Sequence, residues 1–301
     1  MHFFDENSSV QILDRFSSDL RIVDELLTET TRLESEKQSE KPAVITSDWP
    51  SSGCIEFRNV FYRYFAEAKP VLQELSFVIK SKEKIGIVGR TGAGKSSLIG
   101  ALFRLASVEG EILIDGIDTA NIQLNDLRKR IAIIPQDPVL FSGTLRRNLD
   151  PFEEYSDPDI WSALESVGLK SVVSRSWGSL DKPYGENSSV GQRQLLCLAR
   201  AILRKNRILV LDEATANVDP QTDLLIQQTI RDRFTECTVL TVAHRLHTII
   251  DSDRVLVMDS GRAAEFDDPH TLLQNGNDIF YGMVKSLGSD EFKHFSDVAG
   301  N

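Results

Sequence analysis

Short apolar runs alternate with helical patterns along this chain from about residue 54 onward. A run such as 208–211 is too short for a helix and predicts a strand buried on both faces of a sheet. The alternation predicts a mainly parallel sheet covered by helices on both faces. The predicted strands are 55–60, 75–79, 84–88, 111–114, 131–134, 208–211, 238–242 and 254–258, and the clearest helical patterns are 95–105, 192–203 and 222–233.

The same pattern divides the chain into four parts. Residues 1–27 carry apolar positions at helical spacing, and residues 28–53 have the polar composition of a linker. We expect a compact domain at 54–290 and a tail at 291–301. The stretch from about 140 to 200 has no convincing strand, so it predicts a helical insertion between two halves of the sheet.

Composition argues against a nucleic-acid partner, a membrane-spanning helix and a disulfide or zinc framework. The 301 residues are 41% hydrophobic and 26% charged, which is the balance of a globular chain. A net charge of −11 argues against a nucleic-acid partner, because nucleic-acid binding needs a basic face. No apolar run approaches the roughly 18 residues of a membrane helix. The three cysteines are too widely spaced for a disulfide framework or a zinc motif and are expected to be reduced thiols.

A glycine-rich segment follows the third predicted strand. It fits the pattern G-x-x-x-x-G-K-[ST], in which backbone N–H groups curl around an anion and the next helix points its positive end at it. In such a loop Lys95 reaches the β- and γ-phosphates of a nucleotide and Ser96 binds Mg²⁺. The candidate nucleotide-binding residues of this loop are Gly89, Arg90, Thr91, Gly92, Ala93, Gly94, Lys95, Ser96 and Ser97.

Two carboxylates follow a second buried strand, at 208–211. Asp212 and Glu213 come at its carboxyl end, which is the edge of a parallel sheet where ligands bind. Asp212 suits a contact to Mg²⁺. Glu213 is placed beside it to polarise a water molecule that attacks the γ-phosphate.

Several further motifs, in order, resemble those of ATP-binding cassette (ABC) nucleotide-binding domains. The resemblance covers about residues 55–287 and is closest to the second nucleotide-binding domain of subfamily C exporters, the multidrug-resistance-associated proteins. It implies an α/β fold with a P-loop NTPase (RecA-like) core, an antiparallel β subdomain at about 54–80 and a helical subdomain at about 140–200. Besides the phosphate loop, the matching segments are IIPQDPVLFSG (133–143), NLDPF (148–152), VGQRQ (190–194) and LDEATANVD (211–219).

The resemblance also implies roles for single residues. Tyr64 resembles the aromatic residue that stacks on adenine, although a strand aromatic can equally lie in the core, and Tyr62 is an alternative stacker. Gln136 resembles the glutamine that bridges Mg²⁺ or the attacking water to the helical subdomain. His244 resembles the switch histidine that contacts the γ-phosphate. Asp219 resembles the aspartate that communicates between paired domains, and Pro220 after it independently predicts that Asp219 caps a helix.

The family signature, Leu-Ser-Gly-Gly-Gln, is altered here to SSVGQ at 188–192. Ser189, Gly191 and Gln192 match, whereas Ser188 replaces an apolar residue, and the segment before it is a few residues short. Ser189 would donate to the γ-phosphate of a nucleotide bound by a partner domain. We expect the alteration to weaken that site and to leave turnover at this chain's own site.

The first 27 residues are similar to a cytoplasmic loop of the family's second membrane domain, which docks on a nucleotide-binding domain. The family's transmembrane helices do not follow this segment here. We therefore expect the chain to belong to a larger transporter, as a fragment or a mis-spliced form, unless the segment has another partner.

The resemblance implies that this domain is an Mg²⁺-dependent ATPase with ATP as substrate, driving export from the cytoplasmic side of a membrane. Its expected partners are a second nucleotide-binding domain, paired head to tail, and the transmembrane domains of an exporter. Two alternatives stay open: a regulatory domain that binds ATP with little hydrolysis, and an inactive fragment. A soluble ABC ATPase of DNA repair or translation fits the subfamily C segments less well.

Overall fold

The computed structural model describes residues 45–65, 67–141, 143–176, 178–182, 188–243, 245–274, 276, 278–288, 292–293 and 295. Strands and helices are numbered separately in chain order. The strands are β1 (Ile55–Arg63), β2 (Leu72–Ile79), β3 (Lys84–Val88), β4 (Ser107–Ile114), β5 (Ile117–Asp118), β6 (Ile131–Ile134), β7 (Ile208–Asp212), β8 (Thr238–Val242), β9 (Arg254–Asp259) and β10 (Arg262–Asp267). The helices are α1 (Lys95–Leu102), α2 (Leu124–Lys129), α3 (Leu145–Leu149), α4 (Asp157–Ser166), α5 (Lys170–Ser176), α6 (Val190–Arg204), α7 (Pro220–Arg233), α8 (Pro269–Gln274) and α9 (Ile279–Lys285).

A six-stranded sheet in the order β10-β9-β3-β8-β7-β6 forms the centre of the fold. Its strands from β9 to β6 are parallel, and only the edge strand β10 is antiparallel to its neighbour. Most residues of β3, β7 and β9 are buried, as expected for strands covered on both faces. The predicted parallel sheet is therefore confirmed. The edge strand β10 was not predicted, because its sequence RAAEFD has no buried apolar run.

A second, antiparallel sheet has the order β2-β1-β4-β5. It confirms the antiparallel subdomain, but it extends beyond 54–80, since β4 and β5 return to pair beside β1 after the phosphate loop and α1. The folded region also begins before residue 54. Trp49 is 5% exposed and donates its indole N–H to Ile114 O, 3.1 Å away. The last residues of the predicted linker therefore belong to this subdomain.

Helices α3 to α6 form the predicted helical insertion between β6 and β7. The apolar faces of α4 and α6 pack together in a core of their own, with Ile160, Leu164 and Leu196 fully buried. The long helix α6 is buried on all sides over its middle, since every residue from Gln194 to Ala201 is buried. This insertion carries the segment that resembles the family signature into the same unit as the central sheet.

At the carboxyl end, α8 and α9 pack beside the central sheet. Phe280, Val284 and Phe295 are fully buried in one apolar cluster with Val255 and Val257 of β9. The predicted tail at 291–301 therefore contributes at least Phe295 to the fold. The predicted segment 1–27 lies outside the described residues, and within the described part no helix has the length and hydropathy to cross a membrane.

Arg254 on β9 joins the two sheets. Its guanidinium donates to both carboxylate oxygens of Glu83 at 2.6 and 2.8 Å and to Val78 O of β2 at 2.7 Å. It also lies 4.0 Å from the ring centroid of Phe266 on β10. Burial alone would raise the pKa of Glu83, but hydrogen bonds from Arg254 and the Lys80 N–H outweigh it and lower the pKa.

Replacing Glu83 by Gln should therefore reduce the free energy of unfolding by about 2 kcal/mol near neutral pH, because Arg254 loses a charged, bidentate partner. The folded-state pKa is lowered, so this stability is complete above the unfolded pKa of about 4.3 and is lost as pH falls through the folded value. Urea unfolding of both proteins from pH 7 to 3 would measure the difference, which should shrink with acid.

Glu236→Gln is the matched control, since its ion pair with Lys82 is exposed on both sides. That substitution should change the unfolding free energy little at any pH. An equal loss in the two variants would contradict a special role for the buried pair.

Candidate nucleotide-binding site

The loop between β3 and α1 has the conformation that an anion cradle needs. Gly89 and Gly94 adopt φ of 153° and 104°, in the region that favours glycine. A Cβ on Gly89 would lie 2.4 Å from Met258 O, and one on Gly94 would lie 2.9 Å from Leu72 Cδ2. The loop therefore rests directly on β9 and β2, and side chains at these two positions would push it off both.

The first turn of α1 is the second part of the cradle. Gly94 is its N-cap residue, and no side chain of the described residues caps the turn, so its backbone N–H groups remain for an anion. Lys95 is 5% exposed, and its ammonium donates to Gly89 O at 2.9 Å, which holds it across the loop. Ser96 is exposed beside it. The predicted phosphate-loop residues are thus brought together.

The carboxylates after β7 lie at the same edge of the sheet, because β7 pairs with β8 and β8 with β3 in parallel register. Burial, together with the charge of Glu213, raises the pKa of Asp212 to about 6, and the nearby Lys95 ammonium opposes this shift. Glu213 has a left-handed backbone, with φ of 51°, and its N–H donates to Val242 O of β8 at 3.0 Å. The neighbouring strand therefore fixes where Glu213 leaves the sheet.

The donor set fits a magnesium ion held partly by a nucleotide. Ser96 on α1, Asp212 at the end of β7 and the exposed Gln136 after β6 offer oxygen atoms along the same edge of the sheet. In the described part of the chain, no group of three or more His, Cys, Asp and Glu residues could hold a metal alone. Magnesium commonly binds one or two protein oxygens plus phosphate oxygens and water, so this arrangement suits it. The predicted His244 lies outside the described residues.

Tyr64 is the exposed aromatic residue beside the loop. Its ring is 49% exposed, and its hydroxyl hydrogen-bonds the hydroxyl of Ser97 on α1 at 3.0 Å. Tyr62 packs edge-on against it, with ring centroids 5.1 Å apart and an interplanar angle of 77°. Tyr62 is fully buried and cannot offer a ring face to a ligand, so it was wrong as an alternative stacker. Ser97 was predicted among the phosphate-loop residues, but its contact with Tyr64 was not.

The segment that resembles the signature starts α6 with a complete capping box. Ser189 Oγ accepts from the Gln192 N–H, and Gln192 Oε1 accepts from the Ser189 N–H, both at 3.1 Å. Ser189 is exposed, and its hydroxyl keeps its own proton for an outside acceptor. The altered Ser188 therefore does not prevent the helix from forming, and it starts at Val190, two residues before the predicted 192. The shortened segment before it, at 183–187, lies outside the described residues.

Asp219 caps α7, as predicted from the following proline. Its carboxylate accepts from the Thr222 N–H at 3.0 Å and from the Thr222 hydroxyl at 2.7 Å. Thr222 also lies close to the signature segment, since a Cβ on Gly191 would be 3.0 Å from Thr222 Cγ2 and 3.4 Å from Asp219 Oδ2. The starts of α6 and α7 therefore touch. Sequence reasoning missed this contact, because the spacing of the two motifs gives no sign of it.

A parallel sheet, a cradle for phosphate groups and two carboxylates at its edge define a P-loop nucleotide-binding domain. Residues 72–216 match a sequence profile of the ABC transporter family. The chain thus contains an ABC transporter ATP-binding domain, and its relatives are members of subfamily C, the multidrug-resistance-associated group.

Individual relatives agree with this assignment. The chain is 56% identical over 278 residues to ATP-binding cassette sub-family C member 4 of Mus musculus, an alignment that covers 91% of this chain and 21% of the mouse protein. It is 58% identical over 257 residues to the probable multidrug resistance-associated protein lethal(2)03659 of Drosophila melanogaster, covering 83% and 19% of the two chains. The chain therefore spans about a fifth of the length of these relatives.

A solved structure also supports membership of the ABC transporter family. The structure of a bacterial Atm1-family ABC exporter with ATP bound superposes with a TM-score of 0.77 and 31% sequence identity. The match covers 93% of this chain and 48% of that chain. The similarity therefore extends across nearly all of this chain, including both sheets and the helical insertion.

The tyrosine pair gives a stability test of the site. Within the described part of the chain, Tyr62 Oη is buried without a hydrogen-bond partner, whereas Tyr64 Oη has Ser97. Replacing Tyr62 by Phe should therefore increase the free energy of unfolding by about 1 kcal/mol, because an unpaired buried hydroxyl is removed. Tyr64→Phe, the matched control, should not stabilise the protein. Urea unfolding at neutral pH measures both, and a loss of stability in Tyr62→Phe would show that this hydroxyl has a partner.

Proposed function

We propose that this chain is the second nucleotide-binding domain of a subfamily C exporter and that it binds and hydrolyses Mg²⁺-ATP. The observation that carries the proposal is the position of Glu213. It lies beside the partly buried Asp212, two strands from the phosphate loop, and its backbone is fixed by a hydrogen bond to β8. A domain that only bound nucleotide would need the loop but not a carboxylate held in this way.

Binding depends on the loop, α1 and Tyr64. The N–H groups of the loop and of the first turn of α1 would bind the phosphate oxygens, and Lys95 would exchange its contact with Gly89 O for the β- and γ-phosphates. The half-exposed ring of Tyr64 would stack on adenine, which gives affinity with little discrimination among bases. Ser96, Asp212 and Gln136 would hold the magnesium ion, which neutralises charge on the phosphates.

Hydrolysis then requires an aligned water molecule. Glu213 would accept a hydrogen bond from that water and draw its proton as the oxygen approaches the γ-phosphate. His244, two residues after β8 in the sequence, would contact the γ-phosphate. In phosphoryl transfer most of the rate enhancement comes from positioning and from charge stabilisation. The fixed backbone of Glu213 suits that requirement.

The site would be completed by a partner domain. Ser189 is exposed at the N-terminus of a fifteen-residue helix and presents both its hydroxyl proton and the helix dipole to solvent. In a head-to-tail pair this end of α6 would meet the γ-phosphate of the nucleotide on the other domain. Asp219 would transmit the state of one site to the other, since the start of α7 touches the start of α6.

Coupling to export would use the same movements. ATP would close the pair, and hydrolysis would open it. The Gln136 loop, which lies between the central sheet and the helical insertion, would transmit this change to transmembrane domains. The domain would then work on the cytoplasmic side of the membrane. The alternative, ATP-gated regulation with little hydrolysis, predicts tight binding and slow turnover from the same geometry.

Turnover by the purified chain tests the proposal. We expect an Mg²⁺-dependent ATPase rate that rises with the square of protein concentration, because two copies must pair. Glu213→Gln should reduce the rate by about 10²- to 10⁴-fold, since it removes the base, with little change in ATP affinity. Lys95→Ala should abolish binding itself. Tight ATP binding with equally slow turnover in the wild-type chain and in Glu213→Gln would instead support the regulatory alternative.

Complementation tests the pairing. In a mixture of Glu213→Gln and Ser189→Ala chains, a mixed pair has one intact site, formed by Glu213 of one copy and Ser189 of the other. Each variant alone should be inactive, and an equal mixture should recover about a quarter of wild-type turnover, because half of the pairs are mixed and each has one working site. A mixture no more active than its components would contradict head-to-tail pairing of this chain with itself.

A further inference from the structure

Helix α6 holds the loop after β6 through one buried glutamine. The side chain of Gln194 is 1% exposed. Its Nε2 donates to Pro135 O and to Gln136 O, each at 2.9 Å. These two carbonyl groups flank the Cα atom of Gln136. Gln194 therefore fixes the backbone of Gln136 and leaves its exposed side chain free to reach a ligand.

Burying the amide group of Gln194 reduces the stability of the fold. Its Oε1 is buried and has no hydrogen-bond partner among the described residues. Rotating the amide would not help, because the oxygen would then face two carbonyl oxygens. A buried, unpaired acceptor costs about 1–3 kcal/mol. An apolar residue of the same length would fill the space without leaving an unpaired oxygen. What Gln194 adds over such a residue is therefore its two hydrogen bonds to the loop.

A second polar contact holds the other end of the same loop. Arg200 of α6 donates to Val139 O at 3.0 Å and to Asn148 Oδ1 at 2.9 Å. Beside Arg200, the loop, β6 and the helix line a small cavity of about 20 Å³. The loop is thus attached to α6 by hydrogen bonds at both ends.

The geometry of α6 connects this attachment to the signature segment. Gln194 lies five residues after Ser189, which is about 7.5 Å along the axis at 1.5 Å per residue. The capping box fixes the first turn, and every residue from Gln194 to Ala201 is packed in the interior. Because a packed helix moves as a unit over such a distance, a shift of the Gln136 backbone is passed to Ser189.

We propose that Gln194 is a positioning residue that couples the loop of Gln136 to the signature end of α6. Nucleotide at this chain's own phosphate loop would then control how Ser189 is presented to the partner's nucleotide. The inference rests on the proposed function, because it needs ATP at the phosphate loop. It adds Gln194 as the residue that attaches the Gln136 loop to α6.

Hydrogen exchange of the full chain, with and without Mg²⁺ and the non-hydrolysable analogue AMP-PNP, tests this route without measuring turnover. In the wild-type chain we expect the analogue to slow exchange at 89–97 and, by about tenfold, at 190–196. Gln194→Met keeps the length of the side chain and removes both hydrogen bonds. It should retain the slowing at 89–97 and lose it at 190–196. In Gln194→Asn the side chain is too short to reach the two carbonyls, so this variant should also lose the slowing at 190–196. It serves as the test if Gln194→Met does not fold.

Leu196→Val is the control for a general loss of stability, because Leu196 is buried on a different side of the same helix. It should keep the wild-type response in both segments. The proposal is overturned if the Gln194 variants keep the slowing at 190–196, if Leu196→Val loses it equally, or if wild-type protein slows only at 89–97. No slowing at 89–97 in the wild-type chain would instead overturn the proposed function, and the inference with it.

Discussion

Parallel pairing of β3, β8, β7 and β6 is the constraint on which the candidate site depends. In a parallel sheet the carboxyl ends of neighbouring strands meet at one edge, so residues far apart in sequence become neighbours. The phosphate loop follows β3, the two carboxylates end and follow β7, and Gln136 follows β6. If one of these strands were reversed, its residues would move to the opposite edge. The parallel direction of these strands is therefore what brings the site residues together, and their side chains can act jointly only because of it.

Much of this could be predicted from the sequence, because local pattern and chemistry agree. Buried strands such as 208–211 are continuous apolar runs, and the phosphate loop is a contiguous motif whose glycines are required by backbone geometry. The capping role of Asp219 was also local, since the proline after it marks the first turn of a helix. Such features need only a few adjacent residues to be recognised.

The features that sequence reasoning missed depend on distant contacts. Tyr62 lies on β1 and Tyr64 just after its end, and the two look alike in sequence, yet in the fold Tyr62 is buried and Tyr64 is exposed. Strand β10 has an unremarkable sequence and exists because β9 offers an edge. Trp49 looked like the end of a linker, but its indole reaches a carbonyl of β4 that lies 65 residues later.

The backbone of Glu213 has one further consequence. A residue with a Cβ in the left-handed region raises the energy of the folded chain by about 1–2 kcal/mol, and glycine would relieve it. Selection for stability alone would thus favour losing the carboxylate at this position. Stability and activity therefore oppose each other at Glu213. An inactive form of such a domain can have a higher free energy of unfolding than an active one, so a high melting temperature does not indicate that the domain is active.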